Sequence, residues 1–160
     1  MRYADFRPQI KSGDLISFTH RGWFTSFYSF KVMLVRLFQL SEYCHVGTAI
    51  VMGGRVWVLE AVTPGVRLVP LSNLLPCYHV AAEEFTQEQI ELGLSFVGDE
   101  KMRYSIWECV KGFLGRNDYT DNNIQCAELV NLLHGYTCLA RPEAVVQYCL
   151  RSSELKYLEA

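Results

Sequence analysis

HVGTAIVMGGRVWVLEAV, residues 45–62, is typical of two β-strands joined by a tight turn. The two eight-residue flanks are rich in β-branched and apolar residues, which favour strands. The turn is Gly53-Gly54, and glycine readily adopts the positive φ angles that two-residue hairpin turns require. We therefore predict antiparallel strands over His45–Met52 and Arg55–Val62.

The turn also sets which residues of the two strands face each other. With Gly53-Gly54 as the turn, Glu60 faces Gly47, and by the same register His45 faces Val62. Because side chains alternate along a strand, His45 and Glu60 then project from one face as diagonal neighbours. Glu60 can accept a hydrogen bond from one ring nitrogen of His45 and leave the other nitrogen for a nucleophile. A one-residue slip would move Glu60 to the opposite face.

Further strands and helices are predicted on both sides of this hairpin. The predicted strands are Leu15–Phe18, Val66–Pro70 and Tyr78–Ala82, and the predicted helices lie within 23–40, after the N-cap Thr86, over 105–114, after Asp121-Asn122-Asn123 and over Pro142–Leu150. Strands come mostly first and helices mostly later, so the expected class is α+β, an antiparallel meander packed against helices. The 160 residues fit a single domain, 1–160.

Cys126 is the candidate nucleophile. It lies just after Asp121-Asn122-Asn123, residue types that cap helix N-termini, and Gly135 is a suitable end for the helix. The unpaired N–H groups and the dipole at a helix start favour a thiolate. The alternative is a structural cysteine, since a lone cysteine near a helix start is often a small buried apolar residue. The six cysteines form neither a CxxC pair nor a zinc-ligand spacing.

A cysteine, a histidine and a third orienting group form the arrangement of a cysteine hydrolase. In this interpretation Cys126 is the nucleophile, His45 is the base and Glu60 orients the base. The structural alternatives are a strand-edge histidine with one hydrogen bond and a solvated glutamate on an exposed face. The sequence by itself does not bring Cys126 to the hairpin.

Four short motifs occur in an order that resembles a known family. They are Gly13-Asp14-Leu15-Ile16, His45-Val46-Gly47-Thr48-Ala49-Ile50, Val58-Leu59-Glu60-Ala61 and Cys126-Ala127-Glu128-Leu129-Val130. Together they resemble circularly permuted NlpC-type papain-like hydrolases, the YiiX/YaeF group, over residues 12–135. In ordinary NlpC-type enzymes the cysteine helix precedes the two strand motifs. Here it follows them, as in the permuted group, which is similar in turn to lecithin retinol acyltransferases.

The resemblance implies a papain-like core, in which a helix carrying the nucleophile packs against an antiparallel sheet carrying the base. Cys126 corresponds to the nucleophile, His45 to the base and Glu60 to the third polar residue. Asp14 matches a position that we interpret as structural, a turn cap before the first strand. The family spans amide and ester chemistry, so a peptide, cell-wall or acyl-containing substrate is expected, with no cofactor and no metal.

Two further residues are candidates for substrate contact. Tyr43 lies two residues before His45, and His20 lies in a glycine-containing loop. A packed aromatic ring and a surface histidine are the alternative interpretations. A non-catalytic module that binds peptides or lipids on the same fold is the alternative for the whole chain.

Composition excludes several other classes of protein. Half of the residues are hydrophobic and the net charge is −2, which argues against disorder and against a nucleic-acid-binding face. The apolar segment 23–40 contains Lys31 and Arg36, each costing about 2.5–3.5 kcal/mol at the centre of a membrane span. A buried helix is therefore favoured, with an interfacial helix as the alternative. The N-terminus has no signal-peptide h-region, which predicts a cytoplasmic protein with free thiols, or one released by lysis or in a phage particle.

Overall fold

A computed structural model describes residues 1–19, 43–104 and 123–160 of the chain. The strands are β1 (Leu15–Phe18), β2 (His45–Met52), β3 (Arg55–Val62), β4 (Gly65–Pro70), β5 (Cys77–Val80), β6 (Arg103–Tyr104), β7 (Asn123–Ile124) and β8 (Leu155–Leu158). The helices are α1 (Tyr3–Phe6), α2 (Gln87–Ser95), α3 (Cys126–His134) and α4 (Pro142–Leu150), with short 3-10 turns at Arg7–Gln9 and Leu71–Asn73. The helices predicted within 23–40 and over 105–114 lie outside the described residues.

The eight strands form one sheet in the order β7-β6-β4-β3-β2-β1-β5-β8. All neighbours are antiparallel except β6 and β7. Strands β1 to β4 form the predicted meander, whereas β5 pairs with β1 at the opposite edge and β8 extends that edge. The α+β class is confirmed, and the sheet is wider than a simple meander.

The central hairpin has the predicted turn and register. Gly53 and Gly54 have φ angles of 58° and 71°, which the two-residue turn requires. Consecutive strand pairs then run from Met52 opposite Arg55 as far as Thr48, where the β2–β3 ladder ends. The sequence therefore determines locally how these two strands meet.

Helices α2, α3 and α4 cover one face of the sheet. Helix α3 is central, since it contacts β2 and β3 beneath it and α2 and α4 on its two sides. Its buried apolar residues belong to two apolar clusters shared with those neighbours. A third cluster, on the opposite face, is covered by α1 and the 3-10 turn at Leu71–Asn73. The sheet is thus buried on both faces around β1, β2 and β3, and the N-terminus of α3 is held close to β2.

Helix boundaries agree with the sequence at three of the predicted positions. Thr86 caps α2, with its hydroxyl accepting from the Gln89 N–H, and Gln89 reciprocates with its side chain. Gly135 ends α3 with a φ of 68°. Helix α4 spans Pro142–Leu150 as predicted, with the proline in the first turn.

The predicted start of α3 is wrong. Asn123 does not cap the helix, because Asn123 and Ile124 are extended in β7 and pair with β6. The N-cap is Gln125, whose backbone N–H donates to Glu128 Oε2 at 3.0 Å. Cys126 therefore becomes the first helical residue, which keeps it in the first turn as expected.

Within the described ranges, no helix combines the length and the apolar character that crossing a membrane demands.

Candidate active site

Cys126 is the first residue of α3 and lies against the beginning of β2. It is 3% exposed. Its side chain hydrogen-bonds with the His45 ring and accepts from the backbone N–H groups of Val46 and Ala127. The structure therefore brings the predicted nucleophile and the predicted base together, which the sequence alone did not establish.

The sulfur of Cys126 lies where the ladder between β2 and β3 ends, at Thr48. Backbone N–H groups alternate in direction along a strand, and that of Ala49 donates toward β1, to the Asp14 carbonyl. Val46, three residues earlier, therefore directs its N–H toward the β3 side. Because β3 no longer pairs there, this N–H donates to the sulfur of Cys126. The opening of the hairpin thus creates the place that the thiol occupies.

Glu60 lies beside His45, as the hairpin register predicts. His45 Nε2 is 2.6 Å from Glu60 Oε2, so the two side chains share one face of the sheet. Glu60 is 2% exposed, and the alternative of a solvated glutamate is wrong. Phe18 stacks on the His45 ring with a centroid separation of 5.6 Å and limits how that ring can turn. Since Nε2 faces Glu60, the ring nitrogen available to Cys126 is Nδ1.

Charges within this group favour an ion pair between cysteine and histidine. Burial alone lowers the pKa of His45, but the charge of Cys126, the hydrogen bond with it and then Glu60 raise that pKa to about 10. Burial likewise raises the pKa of the Cys126 thiol, but the His45 charge and hydrogen bond and the N–H groups of Val46 and Ala127 outweigh it, and the pKa is lowered. The arrangement thus favours a thiolate beside an imidazolium.

Three other cysteines of the described chain provide a contrast. Burial raises the pKa of Cys77 to about 12 and also raises the pKa of Cys138 and of Cys149. None of these shifts involves a histidine. Among these described cysteines, burial without a facing imidazole raises the thiol pKa, whereas the imidazole and N–H donors that face Cys126 lower it.

Arg67 is a member of this group that the sequence analysis missed. It lies directly opposite Glu60 in the β3–β4 ladder, and its Nε and Nη2 lie 2.8 Å and 2.6 Å from Glu60 Oε1. The signal was present in the sequence. Extending the register through the turn after Val62, which pairs with Gly65, places Arg67 opposite Glu60, as a cross-strand pair of opposite charge.

Gly47 leaves the space in which β3 approaches the site. A Cβ atom at this position would lie 2.7 Å from Val58 Cγ1, 2.9 Å from the Leu59 carbonyl oxygen and 3.2 Å from Glu60 Cβ. The close approach of the two strands therefore requires glycine here, although its φ is not positive.

Gly47→Ala is expected to lower both stability and thiol reactivity. The added methyl must displace β3, at a cost of about 1–3 kcal/mol, and with it the Glu60 side chain. Thermal unfolding and the alkylation rate of Cys126 at pH 6 measure the two effects. Val51→Ala, exposed near the other end of β2, is the control and should change stability by less than about 0.5 kcal/mol. An unchanged melting temperature for Gly47→Ala would contradict the role of this glycine.

Asp14 acts as the predicted turn cap and has additional partners. Its Oδ2 accepts from the Lys11 N–H at 2.9 Å and lies 2.7 Å from His79 Nε2, and its Oδ1 accepts from the Ala82 N–H at 3.2 Å. Asp14 and His79 are both 3% exposed. This buried pair ties β1 to β5 and to the segment after it, and it shares no member with the Cys126 group.

The two secondary candidates differ in what the structure describes. Tyr43 is 7% exposed, belongs to the same apolar cluster as Cys126 and packs edge-to-face on Tyr78. This position is that of a packed aromatic next to the site, and a contact with substrate stays a prediction. His20 lies outside the described residues.

The described residues define an α+β protein with a cysteine–histidine–glutamate group at the N-terminus of a helix. No protein-family model and no curated protein matches the chain. Among solved structures, the chain is similar to the metalloprotein YiiX from Escherichia coli O157:H7, with a TM-score of 0.52 and 21% identity. The match covers 78% of this chain and 64% of the YiiX chain, so this chain spans less than two thirds of that protein. The protein therefore has a YiiX-like fold.

Proposed function

We propose that this protein is a papain-like cysteine hydrolase that acts through a thioester acyl-enzyme. The observation that carries the proposal is the buried contact between Cys126 and His45, with His45 Nε2 held 2.6 Å from Glu60. Nucleophile, base and orienting carboxylate are the three roles that such chemistry needs. The permuted NlpC-type arrangement of this core belongs to the same proposal and is supported by the order of the strands and of α3.

The reaction begins with the thiolate of Cys126 and the imidazolium of His45. The sulfur attacks the carbonyl carbon, the new S–C bond forms, and the electron pair of the C=O bond moves onto oxygen. The backbone N–H of Cys126 in the first turn of α3 is available to bind this oxyanion, because the first N–H groups of a helix have no partner within the helix. His45 then donates its proton from Nδ1 to the leaving group as the tetrahedral intermediate collapses to the thioester.

Water completes the cycle. His45, now neutral, takes a proton from the water that attacks the thioester carbonyl, and the S–C bond breaks to release the acid and regenerate the ion pair. Throughout, Glu60 keeps Nε2 engaged so that Nδ1 faces the sulfur. Another nucleophile in place of water would make the same group an acyltransferase.

The proposed chemistry identifies the substrate only as a compound with an acyl carbon that the thiolate can attack. We propose an amide or peptide bond, including cell-wall peptides, as the main target, and a lipid ester or amide as the second candidate. Tyr43, which lies in the same apolar cluster as Cys126, is the proposed contact for the acyl group in either case. Nucleic acid is not expected as a partner. A cytoplasmic location stays a prediction.

The solved structure with the similar fold is that of a protein described as a metalloprotein. In residues 1–19, 43–104 and 123–160 of this chain, no group of three or more histidine, cysteine, aspartate or glutamate side chains could hold a metal ion.

The first test is alkylation with iodoacetamide between pH 5 and 11, mapped by mass spectrometry, on the wild type and on His45→Ala. Cys126 should react faster than every other cysteine at pH 6, and the His45→Ala variant should lose this advantage. Cys77 is the internal control, since its pKa of about 12 keeps it a thiol over most of this range. If Cys126 in the folded wild-type protein reacts no faster than Cys77 does, the alternative of a non-catalytic module that binds peptides or lipids becomes the better interpretation.

The pH dependence should differ between alkylation and acyl transfer. The lowered pKa of Cys126 keeps the thiolate present well below the ordinary thiol pKa of 9.0, so alkylation should be nearly level across neutral pH. Acyl transfer also needs the proton of His45, so its rate should fall once pH passes the raised His45 pKa of about 10. Alkylation should show no such fall. An alkylation profile that rises only near pH 9 would contradict the ion pair.

A further inference from the structure

We propose that Arg67 is a positioning residue that locks the carboxylate of Glu60 in the orientation that serves His45. This inference rests on the proposed function and adds a fourth residue to the three that the sequence identifies. Arg67 does not reach the sulfur or the reacting carbonyl in this role. It acts only through Glu60.

The two oxygens of Glu60 are divided between two partners. Oε1 is bound by Arg67, with Nε at 2.8 Å and Nη2 at 2.6 Å, and Oε2 is 2.6 Å from His45 Nε2. Both guanidinium nitrogens lie on the same oxygen, so Arg67 holds Oε1 on the β4 side and leaves Oε2 for His45. Rotation of that group would move Oε2 away from His45. The side chain of Arg67 thus determines where the orienting oxygen lies.

Burial makes this second partner necessary. Glu60 is 2% exposed, and a buried carboxylate without enough donors is costly. Arg67 is 53% exposed, so it carries positive charge to Glu60 from the solvent side while its own desolvation stays small. Cross-strand pairing of Glu60 with Arg67 holds the two side chains side by side on the sheet.

The charged groups around Glu60 come from the strands on either side of β3. His45 faces it from β2 and Arg67 faces it from β4, whereas Cys126 of α3 acts on it only through His45. Arg103, on β6 beyond β4, donates to the Glu100 carbonyl instead. Burial raises the pKa of Glu60, but His45 and then Arg67 lower it, and the net shift is downward. Removing Arg67 should therefore raise the pKa of Glu60. The loss of carboxylate charge should then weaken the ion pair between Cys126 and His45 at low pH.

The experiment compares Arg67→Ala, Arg67→Lys and the wild type by the pH profile of Cys126 alkylation with iodoacetamide. We expect the alkylation profile of Arg67→Ala to move to higher pH, so that it reacts up to about tenfold more slowly below the wild-type midpoint and close to the wild-type rate at pH 9, because each one-unit rise in the thiol pKa is about tenfold in thiolate below that midpoint. Arg67→Lys should recover only part of the loss, since an ammonium carries the charge without the planar pair of donors. Because the position is half exposed, millimolar methylguanidinium should also restore part of the reactivity of Arg67→Ala.

Arg55→Ala is the matched control. Arg55 is exposed at the other end of the same hairpin, beside the glycine turn, and its loss should leave the alkylation profile unchanged. Circular dichroism and thermal unfolding verify that each variant is folded at both pH values.

The outcomes separate this inference from the proposed function. A reactive wild-type Cys126 together with an unchanged profile in folded Arg67→Ala overturns the positioning role and leaves the hydrolase proposal intact. A uniform loss of reactivity at pH 6 and pH 9, without rescue by methylguanidinium, assigns Arg67 a merely structural role and also overturns it. An unreactive wild-type Cys126 instead overturns the proposed function itself.

Discussion

Cys126→Ala is expected to abolish acyl transfer. With p-nitrophenyl acetate as an activated acyl donor, the wild type should release p-nitrophenolate and carry an acetyl group on one residue, visible as a mass increase of the intact protein. Loss of the nucleophile leaves only binding and oxyanion stabilisation, so turnover should fall by about 10³-fold to 10⁶-fold.

The control for this variant is Cys77→Ala. Cys77 is buried in the apolar cluster on the opposite face of the sheet, and burial raises its thiol pKa to about 12. Its replacement should leave the acetylation of Cys126 unchanged. Full turnover by folded Cys126→Ala, or acetylation that maps to another cysteine, would show that the nucleophile is assigned wrongly.

Glu60→Gln is expected to have the second largest effect. The carboxylate has donors on both sides: Arg67 Nε hydrogen-bonds to it and Arg67 Nη2 pairs with it, and the charged ring of His45 lies on the other oxygen. A glutamine of the same size must turn its NH₂ group toward one of these donors, and it also removes the charge that stabilises the imidazolium. We expect acyl transfer to fall by about 10²-fold to 10⁴-fold, as when the acid of a catalytic triad is made neutral.

The pH profile identifies the cause of this loss. The downward shift of the Glu60 pKa shows that the folded site favours the ionised form, and the ionised form in turn raises the pKa of His45. In Glu60→Gln the pKa of His45 should therefore fall and that of Cys126 should rise, so alkylation should decrease more at pH 6 than at pH 9.

Glu154→Gln is the control, since Glu154 is exposed in the turn before β8 and should have no effect on alkylation. Equal alkylation of wild type and Glu60→Gln at pH 6, with both proteins folded, would be incompatible with an orienting role for Glu60.

Much of the local structure follows directly from the sequence. The turn at Gly53-Gly54, the cap at Thr86 and the helix end at Gly135 occur where predicted, because each depends on backbone angles or hydrogen bonds within a few residues. The same short-range rules placed His45 and Glu60 on one face of the hairpin. Strand alternation and a two-residue turn were sufficient for that inference.

The start of α3 shows where local rules are outweighed. Asn123 is a good capping residue, but pairing of β7 with β6 keeps it extended, and the helix begins only after Gln125. The partner strand β6 is about twenty residues earlier in the chain, so the local propensities around Asn123 do not predict this pairing.

The assembly of the site was decided by tertiary structure. Cys126 meets His45 because α3 packs its apolar face on β2 and β3. The sulfur then accepts a hydrogen bond from the Val46 N–H, which lies beyond the end of the β2–β3 ladder. The sequence by itself determined the hairpin, its register and the shared face of His45 and Glu60. Only the tertiary structure brought the helix start to that hairpin, because burial of apolar faces is a non-directional force that acts between segments far apart in the chain.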